Sequence, residues 1–370
     1  MQKIITYAFP ILIWGFTITP ELYGQWASPS LNPTFFVENP AVVAWKNVST
    51  ISFSTIYGNG YKGDFAYQDN TITEANFVLA GELGPGINTG LQIVDKKQIY
   101  TTSYDDGSKE DSNNTSLQYR TGAASIGPLA LGYTDTGNYE INNSSLNKSI
   151  SSTTDSSEKG EAKIERSGIS LRFGGDKINL FTSFYEVKNT VSFDYKLKIT
   201  DSSDSSWQEL NTSLNNFEIK QTGYGIGIIF GKPDENRYRI EVFQENKPKI
   251  DHNITFYITN SAGTSNTDTG NLSDDEKSKL GGIIEANINE ITVSIGTQLE
   301  KIYDSGVDGT YKYGNTSTQS FFSSLYFTMF KPICIGLYAN TSEKLQLYNH
   351  GLRRQYETLD EFGLTISYQI

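Results

Sequence analysis

Cysteine is almost missing from this chain, with Cys334 alone among 370 residues. An internal disulfide is therefore excluded, and stability must come from pairing and packing. Histidine is nearly as scarce, at two residues, His252 and His350. Neither stands in a nucleophile–base–orienter pattern, and one Cys with two scattered His makes no zinc set. Neither an enzyme, a metal site nor a cofactor is expected. Basic residues are outnumbered 30 to 42, giving a net charge of −12, which argues against nucleic acid as a partner. Past the first twenty or so residues, no apolar run approaches the roughly 20 residues a membrane helix needs. Hydrophobic content is 37% and mean hydropathy −0.41, poor material for a helical membrane protein.

What the chain does have is aromatic residues, 23 Tyr and 20 Phe, and 33 Gly. Residues 362–370 read Phe-Gly-Leu-Thr-Ile-Ser-Tyr-Gln-Ile. Phe362, Leu364, Ile366, Tyr368 and Ile370 are apolar, and the residues between them are small or polar. Strand side chains alternate between two faces, so this segment has one greasy and one wet face. An aromatic beside the terminus adds the interfacial anchor of a strand that closes an outer-membrane barrel.

The same alternation recurs along the chain, as in Ile51-Phe53, Leu129-Leu131-Tyr133, Tyr224-Ile226-Ile228-Phe230 and Ile291-Val293-Ile295. Leu117 and Tyr119 are read in the same way. The count is about 14 strands. Short joins (Glu82–Gly86, Gly127–Pro128, Gly174–Asp176, Lys232–Asn236, Asn287–Glu290, Lys331–Pro332) alternate with long polar ones near 58–71, 102–114, 142–160, 200–207, 259–275, 305–312 and 345–354. That asymmetry predicts periplasmic turns and external loops. The strands around 177–200 and 207–231 exceed the roughly 9–11 residues needed to cross, and predict a collar beyond the membrane. A soluble sandwich is the competing fold; the absence of a fixed-period repeat argues against a solenoid or propeller.

Residues 1–25 have the layout of a signal peptide: a basic Met1-Gln2-Lys3 start, an apolar Ile4–Ile18 and small or polar residues near Tyr23-Gly24-Gln25. Residues 26–45 carry three prolines and do not alternate, yet are too apolar for a solvated tail. They predict an N-terminal plug within the lumen, with the barrel spanning 46–370. The fold class expected is all-β, a transmembrane antiparallel barrel with a luminal plug, in the bacterial outer membrane. Lipid and lipopolysaccharide surround it, and a monomer is expected. Acidic clusters such as Asp105–Asp111 and Asp268–Glu276 read as solvated loops or as cation bridges to lipopolysaccharide phosphates.

On the phase assigned, Arg120, Arg166, Arg172, Arg237, Arg239, Glu241, Glu285, Gln298 and Glu300 point into the lumen. They form either a charge-selective path or an internal network filling a narrow barrel. Phe322, Tyr326 and Phe330 share that phase and either line an apolar pocket or pack against the plug.

Asn39-Pro40-Ala41, after Phe35 and Phe36 and just before the first strand, resembles the hatch turn of the FadL family of outer-membrane transporters of hydrophobic compounds. The layout of signal, hatch and 14 strands is similar over the whole chain. The resemblance implies uptake of a hydrophobic small molecule, fatty-acid-like or aromatic. Phe35, Phe36, Val37 and Val42 would offer apolar contact, and Asn39 would cap the turn that Pro40 starts. It also implies a gap in the third strand, matched here by Pro85, Gly86 and Gly90, although these residues equally suit a tight turn. A scaffold barrel of the FadL-related type IX secretion kind and a small diffusion porin are the alternative functions.

Overall fold

The computed structural model describes residues 39–370, with breaks at 46–48, 64–65, 150–151, 175–176, 232–235, 248–249, 275, 304–306, 309–310, 329 and 349–352. The signal segment, Phe35, Phe36 and most of 26–45 lie outside the described residues.

The strands run β1 (Thr50–Lys62), β2 (Ala66–Gly84), β3 (Ile87–Tyr104), β4 (Lys109–Ile126) and β5 (Leu129–Lys148). Next come β6 (Ser152–Gly174), β7 (Ile178–Asp201), β8 (Trp207–Phe230) and β9 (Arg237–Lys247). The chain continues with β10 (Ile250–Asn260), β11 (Ser265–Asp274), β12 (Glu276–Ile288) and β13 (Ile291–Tyr303). It ends with β14 (Val307–Asp308), β15 (Tyr311–Phe327), β16 (Ile333–Tyr348) and β17 (Arg353–Gln369).

All pairings are antiparallel, and β1 pairs with both β2 and β17, from Thr50↔Gln369 to Lys62↔Glu357. That last ladder closes the sheet into a barrel of 14 staves. β10 and β11 extend β9 and β12 upward, and β14 is a short arm of β15. Closure leaves no free edge, so backbone donors and acceptors are satisfied inside the wall even where lipid surrounds it. Ser49, just before β1, ties β2 to the end of the closing strand. Its Oγ donates to the Ala80 carbonyl at 3.2 Å and accepts from the Ala80 amide at 3.1 Å, while its carbonyl accepts from the Ile370 amide.

The closing strand keeps its predicted phase. Phe362, Leu364, Ile366, Tyr368 and Ile370 face outward, and Glu361, Thr365 and Ser367 face in. Similar outward rows on the other staves (Leu79, Leu91, Leu131, Ile169, Leu180, Ile226, Ile240, Ile284, Ile295, Leu337) form an exposed apolar band around the wall. A band of this extent is stable against hydrocarbon and unstable against water.

Most of the predicted long loops are strand instead. β5 runs to Lys148 and β6 restarts at Ser152; β1 reaches Lys62 and β2 begins at Ala66. Polar segments that look like loops can pair as a ladder in water, where their side chains on one face stay solvated. β6, β7 and β8, at 23 to 24 residues, rise far above the crossing length as a collar.

In the collar the polarity of the two faces reverses. On β7, Ile178, Leu180 and Phe184 are exposed, whereas Val187, Val191, Phe193, Tyr195 and Leu197 are buried. On β8, Ile226 and Phe230 face out, while Leu210, Leu214, Phe217 and Ile219 face in. The strand alternation does not slip along β7; the apolar residues move from even to odd positions as the surroundings change from lipid to water. Outside, the collar carries ion pairs such as Lys188–Glu218 at 2.8 Å and Lys196–Glu209 at 3.1 Å.

This reversal corrects the reading of β4. Leu117 and Tyr119 lie inside the collar, and Arg120 therefore points outward, in register with Asp135 of β5. The wall gap is also corrected. Pro85 and Gly86 (φ +73°) make the β2–β3 turn, and Gly90 pairs with Ala80 on one side and Ala123 on the other.

Candidate functional site

The site is built from the lumen face of β3–β8. Residues Pro40–Trp45 form a 3-10 turn against the inner face of β2–β6, near the end of the barrel that bears the short turns. Asn39, Pro40, Ala41, Val43 and Ala44 are buried. Asn39 caps the turn: its Oδ1 accepts from the Ala41 amide at 3.0 Å. Its Nδ2 donates to the carbonyls of Ile169 at 3.1 Å and Phe184 at 3.3 Å, so the same side chain fastens the turn to β6 and β7.

The wall is hollowed to receive this turn. A Cβ on Gly90 would collide with the Val43 carbonyl, one on Gly132 with Pro40 and Ala41, and one on Gly168 with the Asn39 carboxamide. These glycines stand on β3, β5 and β6, and the small Ala123 and Ala130 pack beside them. Gly90, expected to weaken a strand, instead makes room for backbone contact. Gly132 and Gly168 were not singled out in the sequence; their signal is a glycine on the inward phase of neighbouring strands, each close to a short turn.

On the rest of the lumen face, polar contacts join neighbouring staves of the wall. Arg239 and Glu241 are fully buried on β9, and Arg239 Nη2 lies 3.2 Å from Glu285 Oε2, which also accepts from Ser294 Oγ at 3.1 Å. Arg172 Nε donates to Asn179 Oδ1 at 3.0 Å, and Arg237 is half-buried on the same inner face. Arg166 stacks over the Tyr119 ring at 5.2 Å. Gln298 is buried inside and Glu300 half-buried above it. Glu361 accepts from Asn70 at 2.5 Å and Asn340 at 3.0 Å. The charges predicted to face inward, Arg120 excepted, thus occupy the lumen face.

Phe322 lies against Gly296, whose missing Cβ leaves space for the ring, and joins Ile56, Ile72, Ile283 and Tyr338 in an internal apolar cluster. Tyr326 Oη is 2.5 Å from Ser367 Oγ. Phe330 does not share this site: it sits in the Thr328–Pro332 turn and is exposed.

A larger apolar cluster fills the collar. Val94, Leu117, Tyr119, Tyr139, Ile141, Ile164, Tyr185, Phe193, Leu214, Phe217, Phe243 and Phe256 are among its members. It joins seven neighbouring staves, β3 to β9, and β10. Among the described residues, no group of three His, Cys, Asp or Glu is placed to hold a metal. His252 lies on β10 in register with Leu272, and His350 is outside the described residues.

No protein-family model matches the sequence, and no curated relative matches it. Solved structures do match by fold. The CymD monoaromatic hydrocarbon channel aligns over 94% of this chain and 97% of its own, with 9% identity and a TM-score of 0.61. The Ralstonia pickettii toluene transporter TbuX aligns over 90% and 92%, with 10% identity and a TM-score of 0.59. A Pseudomonas aeruginosa FadL homologue aligns over 94% and 96%, with 9% identity and a TM-score of 0.55. At such identities the likeness speaks for the fold, and the chain has the fold of the FadL-type barrels.

Proposed function

We propose that this protein is an outer-membrane channel for uptake of small hydrophobic molecules, aromatic or fatty-acid-like, through a barrel plugged from its N-terminus. The observation that carries this reading is the lining of the lumen: an apolar cluster in the collar, and beneath it a polar belt on the wall and a proline turn seated on glycines, both toward the short-turn end. A hydrophobic molecule cannot partition through the charged lipopolysaccharide layer. A protein-lined apolar surface that rises above the membrane offers it a phase to enter. The polar belt and the seated turn hinder free passage of water and ions, which suits a carrier of apolar cargo better than an open porin. The fold neighbours include a monoaromatic hydrocarbon channel and a toluene transporter, and that supports the same class of cargo here.

Proteoliposomes test the reading. Purified protein should speed entry of toluene or a medium-chain fatty acid into an internal trap while passing little ionic current. A steady ohmic conductance with no gain in hydrocarbon entry would replace it with a diffusion porin. Neither current nor entry would leave a scaffold.

A further inference from the structure

One carboxyl group is set into the apolar face of the collar. Glu158 of β6 is 5% exposed and lies in register between Asn143 of β5 and Tyr195 of β7. Tyr139, Ile141, Phe193 and Leu197 flank it on the same inner surface. Asn143 Nδ2 donates to Glu158 Oε2 at 3.1 Å. The other oxygen, Oε1, has no hydrogen-bond partner among the described residues, and neither has Asn143 Oδ1. Two acceptors thus face an apolar interior with no donor bonded to them, and the Tyr195 hydroxyl across from Glu158 is likewise without a hydrogen bond among the described residues. Leaving such groups dry is expensive, and a carboxylate more so than an amide.

The wall beside this group is weakly joined. β8 pairs with β9 up to Thr222↔Asn246 and with β10 from Asn211↔Tyr257, and among the described residues 212–221 share no ladder bond with either. Side-chain bonds bridge that stretch, Thr212 Oγ1 donating to the Thr255 carbonyl at 2.8 Å and Gln221 Nε2 to Glu245 Oε2 at 3.3 Å. Within it β8 also bulges against β7, with Asn216 at φ +55°. Leu214, Phe217 and Ile219 of the unladdered stretch belong to the same apolar cluster as the residues around Glu158.

We propose that Glu158, with Asn143, is the polar anchor of a binding site in the collar for an apolar molecule that carries one hydrogen-bond-donating group, a hydroxyl or an ammonium. The proposal rests on the uptake reading and narrows its cargo. An ammonium on the ligand has protons for both Oε1 and Asn143 Oδ1, and a hydroxyl satisfies one of them, while the rest of the molecule stays in the apolar cluster. A plain hydrocarbon leaves both oxygens unmet. A carboxylate brings a third acceptor and a like charge, and is repelled. Burial pushes the Glu158 carboxyl up to about 7, opposed by the Asn143 bond, in keeping with a group held away from water.

Equilibrium dialysis of the full-length protein in lipid nanodiscs, with protein-free nanodiscs subtracted, tests this at pH 8. The probes are 4-ethylphenol, 4-ethylbenzylamine, ethylbenzene and 4-ethylbenzoate. The phenol and the amine should bind about 10- to 100-fold more tightly than ethylbenzene, and the benzoate most weakly. Glu158→Met should bring phenol and amine down to the level of ethylbenzene. Glu158→Gln keeps an acceptor and the shape, and should weaken the amine more than the phenol. If either variant fails to fold, the wild-type ranking and the other variant still decide. Equal binding of all four probes to the wild type, or an unchanged preference in folded Glu158→Met, overturns the anchor and leaves the uptake reading standing. Binding of none of them overturns both.

Discussion

The Asn39 carboxamide occupies the space that a side chain on Gly168 would need, and it donates to the carbonyls of Ile169 and Phe184 from that position. The contact joins residues 129 positions apart, and it exists only because one strand lacks a Cβ where the turn arrives. Gly168→Val should therefore unseat the turn without unfolding the barrel, and Asn39→Ala should do so more weakly. The measurement is limited proteolysis of the folded protein within residues 26–45, paired with single-channel recording. Both variants should cut faster and show larger current fluctuations. Gly122→Val is the control, since nothing lies within 4 Å of a Cβ there; if it behaves like Gly168→Val, the seat does not hold the turn.

Arg239 and Glu285 make a buried pair in the polar belt, shared with Ser294. Removing one partner takes a counter-charge from the other in a buried setting, which typically costs up to about 3–5 kcal/mol. Arg239→Met and Glu285→Met should each lower the midpoint of denaturant unfolding in lipid vesicles. The double variant should recover a large part of that loss. Additive losses would mean the two residues are not coupled.

Strand phase and closure were legible because the membrane enforces them. A lipid-facing row cannot contain charge over many residues, so Phe362 to Ile370 reveal their orientation without any other knowledge. The same logic misplaced Leu117, Tyr119 and Arg120. Above the membrane the outer face is wet and the inner one dry, and periodicity alone does not say on which side of that boundary a residue stands. A run of outward Lys and Glu, as at Lys163, Glu165, Lys188 and Glu218, marks where the inversion begins.

The Pro40–Trp45 turn was legible as a turn but not as a fit. Asn39 as a cap follows from local chemistry, whereas its bonds to β6 and β7 depend on three glycines scattered over 79 positions, from Gly90 to Gly168. Glycine at 90 had two possible meanings in sequence, a weakened strand or a close approach. Only the partner at the other end of the contact, Val43, decides between them. Glu158 was passed over for a related reason: it sits in an acidic, serine-rich stretch that looks like a solvated loop and is in fact the inner face of a long strand.

Ile226 lies in the outward row of β8 between Tyr224 and Phe230, with 62% exposure to what would be lipid. Ile226→Lys should cost about 2–4 kcal/mol of folding stability in bilayers, the penalty of a cation near the midplane of a barrel wall. The check is urea titration of heat-modifiable gel mobility in vesicles. Glu218→Lys, eight residues up the same strand face and in water, should cost far less. Comparable losses at the two sites would remove the apolar band from the membrane.

The Glu158 carboxyl also predicts how stability depends on pH. Its folded value, about 7, lies above the ordinary 4.5, so the folded protein holds that proton more tightly than the unfolded chain does. The stabilisation is complete below pH 4.5, is lost as pH rises toward 7, and is constant above. The loss amounts to about 3 kcal/mol at most. Tyr139 of β5 and Tyr195 of β7, which face the carboxyl, are both raised by burial and stay neutral throughout this range. Glu158→Gln removes the titration while keeping the shape. The wild type should therefore lose thermal stability relative to this variant between pH 5 and pH 8, as followed by loss of strand signal on heating in detergent. Parallel pH profiles for the two proteins would mean that the carboxyl is solvated, and the apolar setting assigned to it would fail with that result.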